Sequence, residues 1–179
     1  MKNFTLLVLI LCVTTLHGLG MGSVTNTPTH EKKEWVVDIY AVLSGYPVSY
    51  SSKYDATKYE IARLDNQGSC WCPRVNKGGE WIEVSSIEPI KWIGVETQGC
   101  GHYNGWVKSY KVTYSNEGKT WSEVDEGKTF EGNEDQNSRV KHWFDTPVWA
   151  RTIRLTPLSW HRWATLRFDF IAAGKAPSN

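Results

Sequence analysis

The sequence predicts an all-β domain, and three observations support that prediction. Short runs rich in β-branched and aromatic residues are separated by turn residues at regular intervals, and no amphipathic helical period emerges. From Tyr110 to Tyr114, apolar and polar residues alternate, which is the period of a half-buried strand. The chain is also long enough, at 179 residues, to build one domain with its own core.

Two further stretches have a strand–turn–strand pattern. Trp81–Val84 is predicted as a short strand, Ser85–Pro89 as a turn, and Ile90–Thr97 as a second strand. Ser115–Lys119 contains the Asn and Gly residues that suit the left-handed positions of a hairpin loop. A return strand is therefore expected to begin at Trp121.

The last predicted strand alternates most clearly. Leu166, Phe168 and Phe170 share one face, which we expect in the core. Arg167 and Asp169 share the opposite face. A register slip of one residue would bury both charges, so the pattern specifies the register.

The first twenty residues have the pattern of a secretory signal peptide. Lys2 supplies the positive start, Phe4–Leu16 is an apolar run too short for a membrane span, and cleavage is expected after Gly20. The predicted divisions are 1–20 signal peptide, 21–34 flexible leader, 35–173 folded domain and 174–179 tail. We therefore expect a secreted, extracellular protein without a transmembrane segment.

The charge balance argues against a nucleic-acid partner. The chain carries 20 Lys and Arg residues against 19 Asp and Glu residues, and signal cleavage would remove Lys2. A neutral domain without a basic stripe cannot replace the counterions around phosphates. Anionic membranes are disfavoured for the same reason.

The cysteines predict one disulfide. Cys12 belongs to the predicted signal peptide, so Cys70, Cys72 and Cys100 remain in the mature chain. In an oxidising compartment three cysteines form at most one internal disulfide, and a bond between Cys70 and Cys72 would be strained. Together with His102 they offer a Cys3His set for zinc, but zinc pairs are usually separated by at least two residues, which favours a disulfide.

A series of short segments, taken in order over roughly residues 35–173, resembles the discoidin domain, also called the coagulation factor V/VIII C-type domain. The segments are Ala62–Asp65, Trp71–Pro73, Trp81–Val84, Thr97–Gly99, Trp106–Tyr110, Gly118–Trp121, Phe144–Pro147, Ala150–Leu155 and Leu166–Arg167. Their joint order and spacing carry the resemblance. Trp106–Trp121 and Phe144–Arg167 are especially similar to the slime-mould discoidins, and Trp71–Pro73 is similar to the discoidin-domain receptors.

The resemblance implies a discoidin-type jelly-roll β-sandwich, with the chain ends at one pole and ligand-binding loops at the other. Members of this family bind galactose-type sugars, anionic phospholipid, collagen or other proteins, and many hold a structural calcium ion. Many also have a cysteine near each domain end. This chain has none near Trp35–Tyr40 or Ile171–Lys175, so we expect strand pairing to hold the ends.

The resemblance also assigns structural roles. Arg63 and Arg167 are expected as scaffold residues, paired with Asp65 or Asp169. Trp121 and Trp160 are expected in the core.

Alignment with the family brings four segments to the ligand pole: residues 53–59, 66–72, 99–104 and 160–163. The candidate ligand-binding side chains are Tyr54, Asp55, Tyr59, His102, Tyr103, Asn104, His161, Arg162 and Trp163. Their rings can stack on the C–H face of a pyranose, and their polar groups can hydrogen-bond its hydroxyls. Because two of these segments carry the cysteines, Cys70 or Cys72 is expected to pair with Cys100, although some family members leave the cysteine at that position free.

These side chains favour a non-catalytic, lectin-like module that binds a galactose-type glycan or glycoprotein. The alternative is a module for collagen or another matrix or cell-surface protein, which is weakened because Cys100 stands where the receptors have an Arg. Anionic phospholipid comes third, because burying Asp55 in hydrocarbon would cost roughly 2.5–3.5 kcal/mol. No enzyme is expected, because His30, His102, His142 and His161 lie in no catalytic motif.

Overall fold

A computed structural model describes residues 36–54 and 62–175. The predicted signal peptide and leader, the end of the predicted tail, and the candidate ligand residues Asp55 and Tyr59 lie outside the described residues. Within them, no helix combines the length and apolar character needed to cross a membrane.

The regular secondary structure of the described chain is almost entirely antiparallel strand, which confirms the all-β prediction. The strands are β1 (Val36–Tyr40), β2 (Val48–Tyr50), β3 (Ile82–Gln98), β4 (Trp106–Ser115), β5 (Ser122–Glu123), β6 (Phe130–Glu131), β7 (Val140–His161) and β8 (Arg167–Lys175). A single 3-10 turn covers Val124–Gly127. The strand order is β1-β8-β3-β7-β4-β5, with β2 on β3 and β6 on β4.

The two long strands β3 and β7 run through both layers of a β-sandwich. The first part of β3 pairs with β2 and with the second half of β7, while its later part pairs with β8 and the first half of β7. Register shifts in the middle of both strands mark the change of layer. The sandwich predicted from the sequence is therefore confirmed.

The predicted turn at Ser85–Pro89 is wrong, because β3 continues through it. Ser85 pairs with Thr152 and Ile90 with Ala150, so the residues between them form a bulge opposite a single residue of β7. The Ser86 hydroxyl donates to the Glu88 carbonyl inside the bulge, at 2.6 Å. Polar turn residues thus bend the strand without ending it.

The hairpin after β4 matches its prediction. Tyr110 and Val112 are buried on one face of β4, and Gly118 adopts a left-handed φ of +71° in the loop. The return strand β5 begins at Ser122, one residue after the predicted start.

The prediction of two core tryptophans is confirmed for Trp160 and wrong for Trp121. Trp160 is half-buried and packs against the core, as expected. Trp121 instead lies over the Arg154 guanidinium, whose central carbon is 3.7 Å from the ring centroid. Arg154 also binds Glu83, so Trp121 covers an ion pair rather than filling the core.

Strand β8 departs most from the sequence expectation. Phe168 and Phe170 are buried as predicted, but Arg167 and Asp169 on the opposite face are also fully buried. Among the described residues, Arg167 forms no salt bridge with Asp65 or Asp169, the partners expected from the resemblance. Its guanidinium donates to the backbone carbonyls of Gly99 and Gln136, and Asp169 accepts from the backbone N–H groups of Val42 and Leu43. Loops cover this face, so the alternation does not separate core from solvent.

Strand pairing joins the two ends of the described domain. β1 pairs antiparallel with β8, from Val36 opposite Lys175 to Tyr40 opposite Ile171. This agrees with the expectation drawn from the missing end cysteines.

Candidate functional site

A disulfide joins two of the four loop segments predicted at the ligand pole. Cys70 is bonded to Cys100, and both residues are fully buried. This resolves the choice between Cys70 and Cys72, and it shows that the alternative of a free Cys100 is wrong. Cys72 is the remaining thiol of the described residues and is buried.

The guanidinium of Arg167 ties three loops together beside the disulfide. It donates to the carbonyls of Gly99 at 2.7 Å, Asn66 at 3.3 Å and Gln136 at 2.7 Å. A fully buried cation is stable only when such acceptors replace its hydration. Arg167 is therefore a scaffold residue, as predicted, but its partners are loop carbonyls.

The contact with Gln136 adds a loop that sequence reasoning did not place at the pole. Within it, the Asp135 carboxylate accepts the backbone N–H groups of Asn137 at 2.7 Å and Ser138 at 2.6 Å. These hydrogen bonds, with the one from the Ser138 hydroxyl, lower the pKa of Asp135. The Asp-Gln-Asn-Ser run was a turn signal, but nothing in it indicated which loops it would contact.

The segment that carries Trp163 is held by a second residue that sequence reasoning missed. The Asn76 side chain donates to the Arg162 carbonyl at 2.8 Å and accepts the Ala164 N–H at 3.2 Å. Arg162 adopts a left-handed φ of +58°. The Trp163 indole N–H donates to the Pro73 carbonyl at 3.1 Å, which fixes the ring.

The first segment is attached to the same framework through Tyr54. Its backbone N–H donates to the Cys72 carbonyl at 2.9 Å. Just before it, the Ser52 carbonyl accepts the indole N–H of the buried Trp71 at 3.0 Å. The Ser52 hydroxyl donates to the Glu80 carboxylate at 2.7 Å. The side chains of Trp71 and Glu80 thus hold the chain just before Tyr54 in place.

These attachments bring three predicted aromatic residues into one pocket. Tyr54, Tyr103, Trp163 and Cys72 line a cavity of about 220 Å³ that is open to solvent. The rings of Tyr54 and Trp163 meet edge to face, with centroids 6.0 Å apart. Tyr54 is 59% exposed and Tyr103 36% exposed, so ring surface is available to a ligand.

Cys72 contributes a neutral group to the lining of this pocket. Burial raises the pKa of its thiol to about 12, so it stays protonated at physiological pH. It therefore behaves as a small apolar side chain and not as a nucleophile.

Four further predicted ligand residues belong to the described part of the chain, and none of them lines this pocket: His102, Asn104, His161 and Arg162. His102 and Asn104 flank Tyr103 and are exposed, and Arg162 is exposed beside Trp163. His161 stacks on Trp106 instead, with ring centroids 4.1 Å apart and an interplanar angle of 17°.

A second pocket lies next to the first segment. It has a volume of about 320 Å³, and Lys53 and Arg63 bring two cations to its lining beside Tyr46 and Tyr50. The Lys53 ammonium lies 5.1 Å from the centroid of the Tyr50 ring. Both tyrosines lie outside the four segments predicted at the ligand pole.

The cluster of potential metal ligands among the described side chains is not of the type that calcium, the ion implied by the family resemblance, prefers; the backbone carbonyls that also bind calcium in this family are a separate donor set. Calcium takes six to eight oxygen ligands, and carboxylates usually supply several of them. The cluster of potential metal ligands among the described side chains is Cys70, Cys100 and His102, which offer sulfur and nitrogen. Calcium stays a prediction of the resemblance.

The fold and the pocket together define a class of protein: a β-sandwich domain with a small aromatic pocket built by loops at one pole. The model of the F5/8 type C domain family matches residues 47–170. The chain belongs to this family, which is also known as the discoidin family.

Known proteins agree with this assignment. Lactadherin from Sus scrofa is 39% identical over 120 residues, which cover 62% of this chain and 29% of lactadherin. The chain thus matches under a third of that relative's length. The structure of discoidin II from Dictyostelium discoideum aligns with a TM-score of 0.72 at 24% identity, over 78% of this chain and 60% of that one. The family 32 CBM of C. perfringens NanJ, solved in complex with galactose, aligns with a TM-score of 0.57 at 18% identity, over 77% of this chain and all of that one. At these identities the two structures show the shared fold alone.

Proposed function

We propose that this chain is a non-catalytic, extracellular recognition module that binds a galactose-type sugar in the pocket of Tyr54, Tyr103 and Trp163. The observation that carries the proposal is the convergence of these three rings on one cavity. A pyranose presents an apolar C–H face that stacks on aromatic rings, and its hydroxyls need polar partners nearby. His102, Asn104 and Arg162 are exposed sequence neighbours of the ring residues and can supply them.

The pocket size narrows the ligand class. Ligand sites for drug-sized molecules usually span about 300–1,000 Å³, whereas this cavity has about 220 Å³. It suits one sugar ring at the end of a glycan rather than a run of several sugars. The proposed partner is therefore a glycan or glycoprotein with an accessible terminal residue.

The disulfide supports the extracellular part of the proposal. Disulfides persist in oxidising compartments and are rare in the cytosol. The Cys70–Cys100 bond also fixes the loop that carries Tyr103, because Cys100 accepts the Tyr103 N–H at 3.3 Å. The same bond thus contributes to the shape of the pocket.

A protein-binding module is the second candidate, and exposed tryptophans favour it. Trp149 is 63% exposed and Trp143 is 49% exposed, both on β7 and outside the candidate pocket. Exposed tryptophans are frequent anchors of protein interfaces. A collagen or cell-surface partner would use this strand rather than the pocket.

A competition experiment distinguishes the two candidates. Wild-type protein, Trp163→Ala, Tyr103→Ala and the control Trp149→Ala are tested on a glycan array, with and without free galactose. We expect galactose-sensitive binding that falls about two- to twelvefold from lost stacking in each of the two pocket variants, since stacking on one ring contributes about 0.5–1.5 kcal/mol, and lost buried area adds to that fall. The control should bind like wild type.

Other results would contradict the sugar proposal. Saturable binding to a protein or to anionic vesicles that ignores galactose, together with an empty glycan array, would do so. Loss of binding in Trp149→Ala alone would support the protein-binding alternative. Reproducible turnover of any glycoside by the purified chain would contradict the non-catalytic assignment.

A further inference from the structure

We propose that Cys70, Cys100 and His102 form a binding site for zinc or a similar soft divalent cation when a dithiol reductant opens the disulfide. One sulfur from each cysteine and one imidazole nitrogen of His102 all lie within 4.8 Å of one another. Thiolate and imidazole are the ligands that zinc prefers in proteins. Neither cysteine of the proposed site lines the aromatic pocket, and metal binding does not depend on sugar binding.

The distance between Cys100 and His102 already suits a tetrahedral zinc site. Cys100 Sγ lies 3.5 Å from His102 Nδ1 and 3.9 Å from Nε2. With zinc–sulfur bonds of about 2.3 Å and zinc–nitrogen bonds of about 2.0–2.1 Å, adjacent ligands of a tetrahedron stand about 3.6 Å apart. The single residue between Cys100 and His102 is therefore no obstacle, although such close spacing is unusual.

The backbone around the site is held by hydrogen bonds that do not require the disulfide. The Cys100 N–H donates to the Gly105 carbonyl at 3.0 Å, and the Cys100 carbonyl accepts from the Gln136 side chain at 3.2 Å. Next to Cys70, Trp71 exchanges two backbone hydrogen bonds with Leu166, at 2.9 and 3.2 Å. Reduction should therefore free the two sulfurs to move apart while both backbone segments keep their places.

The chemistry of the change balances. The dithiol supplies two electrons and two protons to the sulfur–sulfur bond, which yields two thiols while the reductant becomes a disulfide. The divalent cation then displaces both thiol protons to solvent and binds two thiolates and a neutral imidazole, with water in the fourth position. Two thiolates neutralise the cation, so no net charge is placed beside the two buried sulfurs.

Cys72 does not belong to this site, although it lies two residues from Cys70. Its sulfur is outside the group of ligand atoms and lies 3.7 Å from its acceptor, the Pro73 carbonyl, on the side of the aromatic pocket. This gives the chain a matched control: a buried thiol in the same loops that should not bind the metal.

Cobalt titration of the full chain tests the site, because cobalt replaces zinc and reports thiolate ligands by a charge-transfer band. We expect the reduced chain to bind one Co²⁺ with that band, Zn²⁺ to displace it, and the oxidised chain to show none. Cys72→Ser should bind as wild type does. His102→Ala should lose more than the roughly tenfold in affinity that even outer partners of a metal site contribute.

Four results would overturn the proposal. The reduced chain shows no charge-transfer band, or His102→Ala binds as tightly as wild type. The third is equal cobalt affinity in the folded and the urea-unfolded chain, because the proposed site requires the fold to bring its ligands together. Circular dichroism would establish which of the two states is present. A reduced chain that unfolds and does not refold when Zn²⁺ is added would count against the site in the same way.

Discussion

Strand β8 carries two fully buried charged residues, Arg167 and Asp169, which bind opposite kinds of backbone group in two different regions. Arg167 collects the carbonyls of three loops at the pole with the aromatic pocket. Asp169 collects the N–H groups of Val42 and Leu43, at 2.7 and 2.9 Å, in the turn after β1. We call these the Arg167 corner and the Asp169 corner. In both, a buried charge replaces water as the partner of loop backbone.

The corners differ in how they respond to pH. A guanidinium keeps its charge throughout the physiological range. Burial raises the pKa of Asp169 to about 6, and the hydrogen bonds from the backbone N–H groups oppose that shift only in part. The pole should therefore keep its shape across pH values at which the Asp169 corner changes charge.

Removing the cation of the Arg167 corner should have the largest effect. Arg167→Met would leave the carbonyls of Gly99, Asn66 and Gln136 without this donor. At about 1–3 kcal/mol for each buried unsatisfied group, we expect a loss of about 4 kcal/mol or more in the free energy of unfolding. Urea denaturation at neutral pH measures it.

Arg162→Met is the matched control, because Arg162 is exposed at the same pole. It should stay within about 0.5 kcal/mol of wild type. A loss below about 1 kcal/mol for Arg167→Met would contradict the role given to the corner.

Removing the disulfide beside the Arg167 corner should come next. The bond closes a loop with a sequence separation of 30 residues, so the double variant Cys70→Ser, Cys100→Ser should lose about 3–4 kcal/mol. Cys72→Ala should lose only about 1 kcal/mol, as a small core truncation. Equal losses of unfolding free energy in the two variants, measured by thermal or urea unfolding, would show that the disulfide does not stabilise the pole.

The contribution of the Asp169 corner to the free energy of unfolding should depend on pH. A carboxyl whose pKa is raised in the folded state binds more protons there than in the unfolded state, so its contribution to stability falls as pH rises. Between an unfolded pKa of about 3.9 and a folded one of about 6, the fall should be about 2–3 kcal/mol.

The difference in unfolding free energy between wild type and Asp169→Asn, measured from pH 4 to pH 7, isolates this contribution. It should change with pH over the lower part of that range and level off near pH 7. Asp65 and Asp135 have lowered pKa values and give slopes of the opposite sign, but they cancel in the difference. Parallel curves would contradict the assignment.

The smallest expected effect concerns Asn76, which fastens the Trp163 segment. Asn76→Ala removes partners from the Arg162 carbonyl and the Ala164 N–H and should lose about 1 kcal/mol. Because it loosens Trp163, it should also weaken sugar binding. The control Asn104→Leu changes an exposed predicted ligand residue and should leave the free energy of unfolding unchanged. Unchanged stability and binding in Asn76→Ala would show that Trp163 is held by its own hydrogen bond to Pro73.

The sequence predicted the strands better than it predicted which loops pack over them. Alternation placed Phe168 and Phe170 in the core correctly, because it depends only on the two-residue period of a strand. It could not show that loops bury Arg167 and Asp169 on the other face, since those loops come from distant parts of the chain. For the same reason the polar Ser85–Pro89 segment looked like a turn, although its neighbours on β7 keep it in the sheet.

The aromatic residues of the candidate pocket were selected by resemblance more than by pattern. Tyr54, Tyr103 and Trp163 were selected on aligned loops and do meet in one pocket. The choice of Cys70 over Cys72 as the partner of Cys100 needed three-dimensional distances, and Asn76 carried no signal in its turn. Side chains that hold a site in place are chosen by geometry, which local sequence does not record.

A structure of the chain soaked with galactose tests the central claim most directly. The account predicts electron density for one sugar ring between Tyr54, Tyr103 and Trp163, with its apolar face on an aromatic ring and hydroxyls toward the rim. Density only in the pocket beside Lys53 and Arg63, or none at a galactose concentration that saturates binding in solution, would contradict it.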